Sequence, residues 1–166
     1  MGGVRITGDL KKLEAKLKAL REPELRRVAA SIGEGLVSST IQRFNDQRDP
    51  DGKAWQPHAS ATVLGALSSK SFTKFGTLRK PAKRKLESRK ILIQSARLRN
   101  SISSKVRGTT VAVGTNLIYA RVHQLGGRKG VDGGLKVNIP RRSFLGINDA
   151  DQAEIKRTLE QHLGKL

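Results

Sequence analysis

The stretch PELRRVAASIGEGLVSSTIQRF, residues 23–44, carries the clearest structural pattern in the chain. Its apolar side chains recur at three- and four-residue spacing, which is typical of one face of a helix. These side chains are Leu25, Val28, Ala29, Ile32, Leu36, Ile41 and Phe44. Pro23 stands where the first turn of a helix tolerates it. Gly33 and Gly35 lower the helix propensity but allow another backbone to approach closely. The stretch therefore predicts one long helix from Pro23 to about residue 45.

Two further segments show helical periodicity. Residues 9–20, DLKKLEAKLKAL, place four leucines on one stripe: Leu10, Leu13, Leu17 and Leu20. Near the other end, Asn148 precedes the acids of NDADQAEIKRTLEQHLGKL and is suited to cap a helix. Ile155, Leu159 and Leu163 then form an apolar stripe. The sequence thus predicts two N-terminal helices and a C-terminal helix.

Between the helices lie short segments with strand character. SISSKVRG and TTVAVGT, residues 101–108 and 109–115, predict two strands joined at Gly108, with Val111 and Val113 on one face. LKVNIP, residues 135–140, predicts a third strand. The expected class is α+β, with the three helices packed on a small, mostly antiparallel sheet. Residues 1–166 are expected to form a single domain, with residues 61–90 as an extended basic loop or insertion.

The charge of the chain predicts an acidic partner. Its 33 Lys and Arg against 14 Asp and Glu give a formal net charge of +19. Residues 70–107 contain 13 of these cations and the single acid Glu87. A solvated surface accounts for a few surplus charges but not for nineteen. We expect nucleic acid, an acidic membrane surface or an acidic protein as partner, and we expect the basic segment to become ordered on assembly.

Motifs for chemistry are weak or missing. DPDGK resembles the start of a calcium loop, but Lys53 and Ser60 stand where carboxylates are needed, so we interpret it as a turn. His58, His123 and His162 lack metal-binding spacing, and the chain has no cysteine. No phosphate loop or nucleophile elbow is found. We expect no catalytic, cofactor or metal site and no enzymatic activity.

Interaction residues follow from charge and from the sparse core. The basic segment KPAKRK, residues 80–85, is the centre of the predicted DNA- or partner-binding set: Lys80, Lys83, Arg84, Lys85, Arg89 and Lys90. Only 36% of residues are hydrophobic, so burial between subunits is expected. The predicted oligomer interface is Leu10, Leu13 and Leu17. Few aromatic residues are present to stack on bases, which disfavours single-strand binding.

A second set of residues is predicted to be structural. In YARVHQLGG, residues 119–127, we expect a short helix or turn after a strand, ending at its glycine pair, in which His123 and Gln124 offer hydrogen bonds. The sole tryptophan follows a turn and is expected to anchor the end of the long helix against the sheet. The predicted structural residues are Trp55, Tyr119, His123, Gly126 and Phe144.

Four strings in order resemble a known family. They are RFNDQRDPDGKAW, ILIQSARLRNSI, VGTNLIYARVHQLGG and IPRRSFLG, beginning at residues 43, 91, 113 and 139. Together they resemble the virion morphogenesis, or tail-completion, proteins of Mu-like tailed phages, over about residues 5–163. The chain departs from that family at Ala96, where a glycine is usual, and at Ser143, where a proline usually precedes the phenylalanine.

The resemblance implies a small α+β subunit of the phage neck or tail end that assembles as a ring. It also implies that the protein is not an enzyme. A ring of six copies, or twelve, around the DNA path would also explain the charge. The basic loop then meets either double-stranded DNA in the channel or acidic faces of neighbouring neck and tail proteins. The expected location is the virion, after assembly in the host cytoplasm, with no membrane. The alternative, resting on charge alone, is a freestanding basic nucleic-acid-binding protein.

Overall fold

A computed structural model describes residues 22–58, 65, 67–130 and 138–163. Its elements, in chain order, are α1 (Glu22–Asp46), α2 (Lys80–Glu87), α3 (Arg97–Asn100), β1 (Ser103–Arg107), β2 (Thr110–Gly114), α4 (Ala120–Leu125) and α5 (Asp149–Leu163), with a short 3₁₀ helix at Ser69–Ser71. The helices and the antiparallel strand pair confirm the α+β prediction. The predicted helix over residues 9–20, with Leu10, Leu13 and Leu17, lies outside the described residues.

The chain forms two compact units. The first comprises Met1–Ser39, Ser103–Gly114 and Ile147–Leu166, and the second comprises Thr40–Ile102 and Thr115–Gly146. The boundary falls within α1, so this helix contributes to both. The expectation of a single domain stays a prediction.

The hairpin of the first unit matches its sequence pattern. Strands β1 and β2 pair antiparallel, with Val106 opposite Val111. Gly108 has a φ of 57°, which favours glycine at the turn. Ser104, Val106, Val111 and Val113 are half-buried, and exposed residues alternate with them through Ala112, so the four share one face. Of the third predicted strand, residues 138–140 are described, and there Ile139 forms an isolated bridge with Gly127.

Gly33 brings α1 close to this hairpin. A Cβ built on Gly33 would lie 2.9 Å from the Cβ of Ser104 and 3.2 Å from the Cγ1 of Val111. A Cβ on Gly35 would meet the Cγ of Glu154 at an ordinary 3.9 Å. The close approach expected at these glycines is therefore found at Gly33.

The two glycines are expected to respond oppositely to alanine. Gly35→Ala should raise the free energy of unfolding by up to about 1 kcal/mol through helix propensity. Gly33→Ala gains the same propensity but overpacks the contact with the hairpin, which costs about 1–3 kcal/mol. Thermal or urea unfolding of the two variants should place Gly33→Ala below wild type and Gly35→Ala above it. Equal stabilities would show that α1 does not approach the hairpin so closely.

Helix α5 begins at the predicted cap. The Oδ1 of Asn148 accepts a hydrogen bond from the backbone N–H of Asp151 at 2.8 Å, and the Oδ2 of Asp151 accepts one from the N–H of Asn148 at 2.9 Å. This reciprocal pair satisfies two N–H groups at the start of the helix. The buried Asp151 carboxylate also accepts a hydrogen bond from the hydroxyl of Ser39 on α1. The Asp151 side chain therefore both caps α5 and links it to α1.

The basic segment differs from the extended loop expected over residues 61–90, because residues Lys80–Glu87 form the helix α2. Pro81 stands in its first turn, where a missing N–H has no consequence. Ala82 and Leu86 follow at a spacing of four and form its less exposed side. With so few apolar residues, the periodicity of α2 is hidden in the sequence by charged neighbours.

Ala96 occupies a conformation that favours glycine. It precedes α3 with φ 54° and ψ 1°, in the left-handed region. A Cβ is unfavourable there, which gives a physical reason for the glycine usual in the resembling family. We expect Ala96→Gly to raise the free energy of unfolding by about 1 kcal/mol, as measured by urea unfolding. The same exchange within a right-handed helix, Ala82→Gly in α2, should lower it by a similar amount; a loss of stability at Ala96 as well would contradict this explanation.

Candidate functional site

An aromatic cluster forms the centre of the second unit. The Phe44 ring at the end of α1 packs edge-on to Trp55, with 5.3 Å between centroids, and lies 5.2 Å from the ring of Phe144. Phe44 and Phe144 are fully buried, and Trp55 is 5% exposed. The Trp55 Nε1–H donates a hydrogen bond of 2.8 Å to the carbonyl of Ser143. Where the sequence predicted a sheet as the partner of Trp55, the structure has the extended chain around Ser143 and Phe144.

The side chain of Gln124 in α4 is hydrogen-bonded to that chain segment, residues 142–146. Its Oε1 accepts hydrogen bonds from the backbone N–H groups of Phe144 and Leu145, both at 3.0 Å. Its Nε2 donates one to the carbonyl of Leu145 at 2.8 Å. Next to it, the N–H of Arg142 donates to the carbonyl of His123 at 2.7 Å. One amide side chain thus replaces the hydrogen bonds that a neighbouring strand would supply.

Gly126 ends α4 where two chain segments meet. Its φ is 82°, and an added Cβ would lie 3.2 Å from the N of Arg141 and 3.3 Å from the O of Ile139. Gly127 and Ile139 exchange two backbone hydrogen bonds immediately beyond it. Glycine is therefore required at this position, because the positive φ disfavours other residues and the neighbouring backbone leaves no room for a Cβ.

Two buried arginines bind backbone carbonyls. The Arg43 Nη1 donates to the carbonyls of Phe144 at 3.2 Å and Gly146 at 2.8 Å. The Arg142 Nε and Nη2 donate to the carbonyls of Gln56 at 2.8 Å and Pro57 at 3.0 Å. Burial lowers the pKa of Arg142 from its ordinary value, and its bonds to carbonyls compensate the desolvation in part. Arg43 thus links the end of α1 to residues 144–146, and Arg142 links its own segment to residues 56–57.

The two histidines near Arg142 have lowered pKa values. Burial, and secondly the charge of Arg142, lower the pKa of His123. The pKa of His58 is lowered by burial and by the charges of Arg142 and Arg89. Tyr119 lies edge-on to His123 with 6.1 Å between ring centroids and is 42% exposed. Among the residues that the structure describes, no cluster of His, Cys, Asp and Glu could hold a metal ion.

The basic surface of the second unit centres on α2. Lys80, Lys83, Arg84, Lys85 and Lys90 are exposed, and Arg89 is half-buried. The Lys90 ammonium donates to the carbonyl of Asn45 at 3.3 Å. On α1 and α5, ion pairs join Arg26 to Glu22, Lys156 to Glu160 and Arg157 to Glu154. The six predicted cations therefore lie on one short stretch of the chain, residues 80–90, whose sequence contains the single acid Glu87.

The six cations of this stretch divide between two sides of α2. With about 100° per residue, Pro81, Ala82, Lys85 and Leu86 lie on one side, and these four residues line a groove. Lys80, Lys83 and Arg84 lie on the opposite side. Arg89 and Lys90 follow the helix and line the groove together with Lys85. The structure therefore has a concave basic surface and a convex one.

Sequence reasoning missed the structural roles of Arg43 and Arg142, and it predicted hydrogen bonds for Gln124 without identifying their partners. Each lies in one of the four strings that carry the family resemblance, which is the signal that could have found them. Their partners are backbone atoms 20 to 103 residues away in the chain. Neither residue type nor spacing shows such a contact.

Comparison with known proteins relates the whole chain to phage assembly. The sequence profile of the phage virion morphogenesis family matches residues 5–164. The chain is also 34% identical, over 103 residues, to the Mu-like prophage FluMu G protein 2 of Haemophilus influenzae. That match covers 61% of this chain and 73% of the relative. No solved structure matches the chain. No helix in the described ranges has the length and apolar character needed to cross a membrane.

Proposed function

We propose that this chain, which belongs to the phage virion morphogenesis family, is a structural subunit of the virion's neck or tail end. In this role it completes the tail or joins it to the head, as one copy of a ring around the DNA path. The family match over residues 5–164 is the observation that carries the proposal.

The structure of the second unit supports a structural rather than a catalytic role. The buried Arg43 and the partly buried Gln124 bind backbone carbonyls and N–H groups through their side chains. Such groups hold the chain in place and are not available to a substrate. A strongly charged outer surface suits a subunit that binds components of opposite charge, because complementary charges steer association and select partners.

The convex cations support a position beside DNA. Lys80, Lys83 and Arg84 lie on the exposed, charged side of the short helix α2. DNA phosphates could approach this side without contacting the apolar residues of the helix. In a ring this charge is repeated in every copy around the channel. Contacts with phosphates alone give no preference for a DNA sequence. A channel through which a whole genome passes needs this property.

Depletion of the protein during phage growth tests the proposal. In an amber mutant of the phage gene, filled heads and separate or unfinished tails should accumulate, and the titre should fall by orders of magnitude. Adding the purified protein to the mutant lysate should restore infectivity, because the missing step follows head and tail formation. Gold labelling of an epitope-tagged copy should mark one end of the tail in electron micrographs.

Two outcomes would contradict the role. Normal particles in the mutant lysate would show that the protein is dispensable for assembly. The freestanding nucleic-acid-binding alternative would be supported by two results together. The particles would lack the tagged copy, and the purified protein would bind DNA with an affinity that falls with salt concentration.

A further inference from the structure

The groove beside α2 has a different chemical character from the convex side of the same helix. It is concave, with a volume of about 890 Å³, and its described lining lies within residues 65–94. Its apolar lining residues are Leu67, Pro81, Ala82, Leu86 and Ile93. Duplex DNA carries phosphates on convex ridges and exposes few apolar groups, so it does not match this floor.

The polar wall of the groove is cationic. Lys85, Arg89 and Lys90 line it, and none of the described lining residues is acidic. Side-chain hydroxyls of Ser68, Ser71 and Ser88 stand among them, but these are neutral. The groove therefore suits a partner that carries anionic groups beside apolar side chains.

We infer that the groove binds an acidic amphipathic segment of a neighbouring protein in the particle. Carboxylates of that segment pair with Lys85 and Arg89, while its apolar side chains cover Leu86 and Ile93. Amphipathic helices bind grooves in this manner through apolar residues spaced three and four apart. This inference rests on the proposed function, because it assigns one of the two basic surfaces to protein and leaves the convex surface to DNA.

Two matched double variants separate the surfaces. Lys85→Gln with Arg89→Gln removes one lysine and one arginine charge from the groove, and Lys80→Gln with Arg84→Gln removes the same two from the convex side. The side chains of all four residues make no hydrogen bond or ion pair with other described groups, so both variants should fold. Circular dichroism melting of each variant controls for this.

The probes are two synthetic peptides of about four helical turns and a short DNA duplex. The first peptide has Leu at every third or fourth position and Glu elsewhere, and the second has Ser in place of each Leu. The full-length protein should bind the Leu peptide at least about tenfold more tightly than the Ser peptide, because one buried Leu corresponds to that factor or more. The duplex reports on phosphate contacts.

The groove variant should bind the Leu peptide at least about tenfold more weakly and should bind DNA nearly as wild type does. The convex variant should keep its affinity for the peptide, and its salt dependence for DNA should fall by about 0.9 for each phosphate that it no longer neutralises. Equal binding of the Leu and Ser peptides, or an equal decrease of DNA binding in both variants, would overturn the inference. Neither result would bear on the assembly role, which is tested by depletion in the phage.

Discussion

Trp55→Ala is expected to lower the free energy of unfolding by about 3–5 kcal/mol. The indole is 5% exposed, packs edge-on to Phe44 and donates a hydrogen bond to the carbonyl of Ser143. Alanine would leave a cavity beside Phe44 and an unpaired buried carbonyl, and both changes are unfavourable. Urea unfolding followed by far-ultraviolet circular dichroism measures the loss.

Trp55→Phe separates the two contributions. It retains most of the aromatic packing and removes the Nε1–H, so a loss of about 1–2 kcal/mol is expected, mainly from the orphaned carbonyl. If Trp55→Ala unfolds at the same urea concentration as wild type, the aromatic cluster is not the core of the second unit. Trp55 would then have to be assigned to a surface.

Gln124→Leu is expected to lower the free energy of unfolding by about 2–4 kcal/mol, although the side-chain volume is nearly preserved. The amide makes three hydrogen bonds to the backbone of Phe144 and Leu145, and leucine would leave each of those groups without its partner. An unsatisfied buried polar group typically costs about 1–3 kcal/mol, and the three losses overlap because the segment can partly relax. Urea unfolding again gives the value.

A graded series controls for other effects of this substitution. Gln124→Glu keeps the two accepted bonds and loses the donated one, so its stability should lie between those of wild type and Gln124→Leu. Gln161→Leu makes the same exchange at an exposed position of α5 and should change stability by less than about 0.5 kcal/mol. If Gln124→Leu behaves like Gln161→Leu, the extended chain is held by other contacts.

The regular elements with strong local patterns were predictable. Apolar spacing from Leu25 to Phe44 predicted α1, and the turn at Gly108 between alternating segments predicted the hairpin. Asn148 predicted the start of α5, because a cap acts within one helical turn. In each case the signal lies within a few residues of the structure it specifies.

Features that depend on distant partners were not predictable. The sequence shows that Trp55 is large and apolar, but not that its partner is the extended chain at Ser143, 88 residues away. Likewise, hydrogen bonds were expected of Gln124, but the sequence does not show that their partners lie in residues 142–146. Helix α2 escaped prediction for a different reason, since its apolar side consists of few residues among many charges.

The candidate site was predictable in composition but not in arrangement. The surplus of cations over residues 70–107 indicated an acidic partner, and six residues were named from it. Only the helical geometry of α2 shows that Lys80 and Arg84 lie opposite Lys85, which lines a groove with Arg89. On this separation rests our proposal that one short segment meets two chemically different partners.

Electron cryomicroscopy of the intact virion, reconstructed at the neck and tail end, tests the central claim most directly. The account predicts a closed ring of this chain at that position, of six copies or else twelve, surrounding the DNA path. Within it, the side of α2 with Lys80 and Arg84 should face the channel, and the groove should be filled by a neighbouring protein. Density for this chain in the capsid lattice, or a complete neck and tail end without it, would contradict the account.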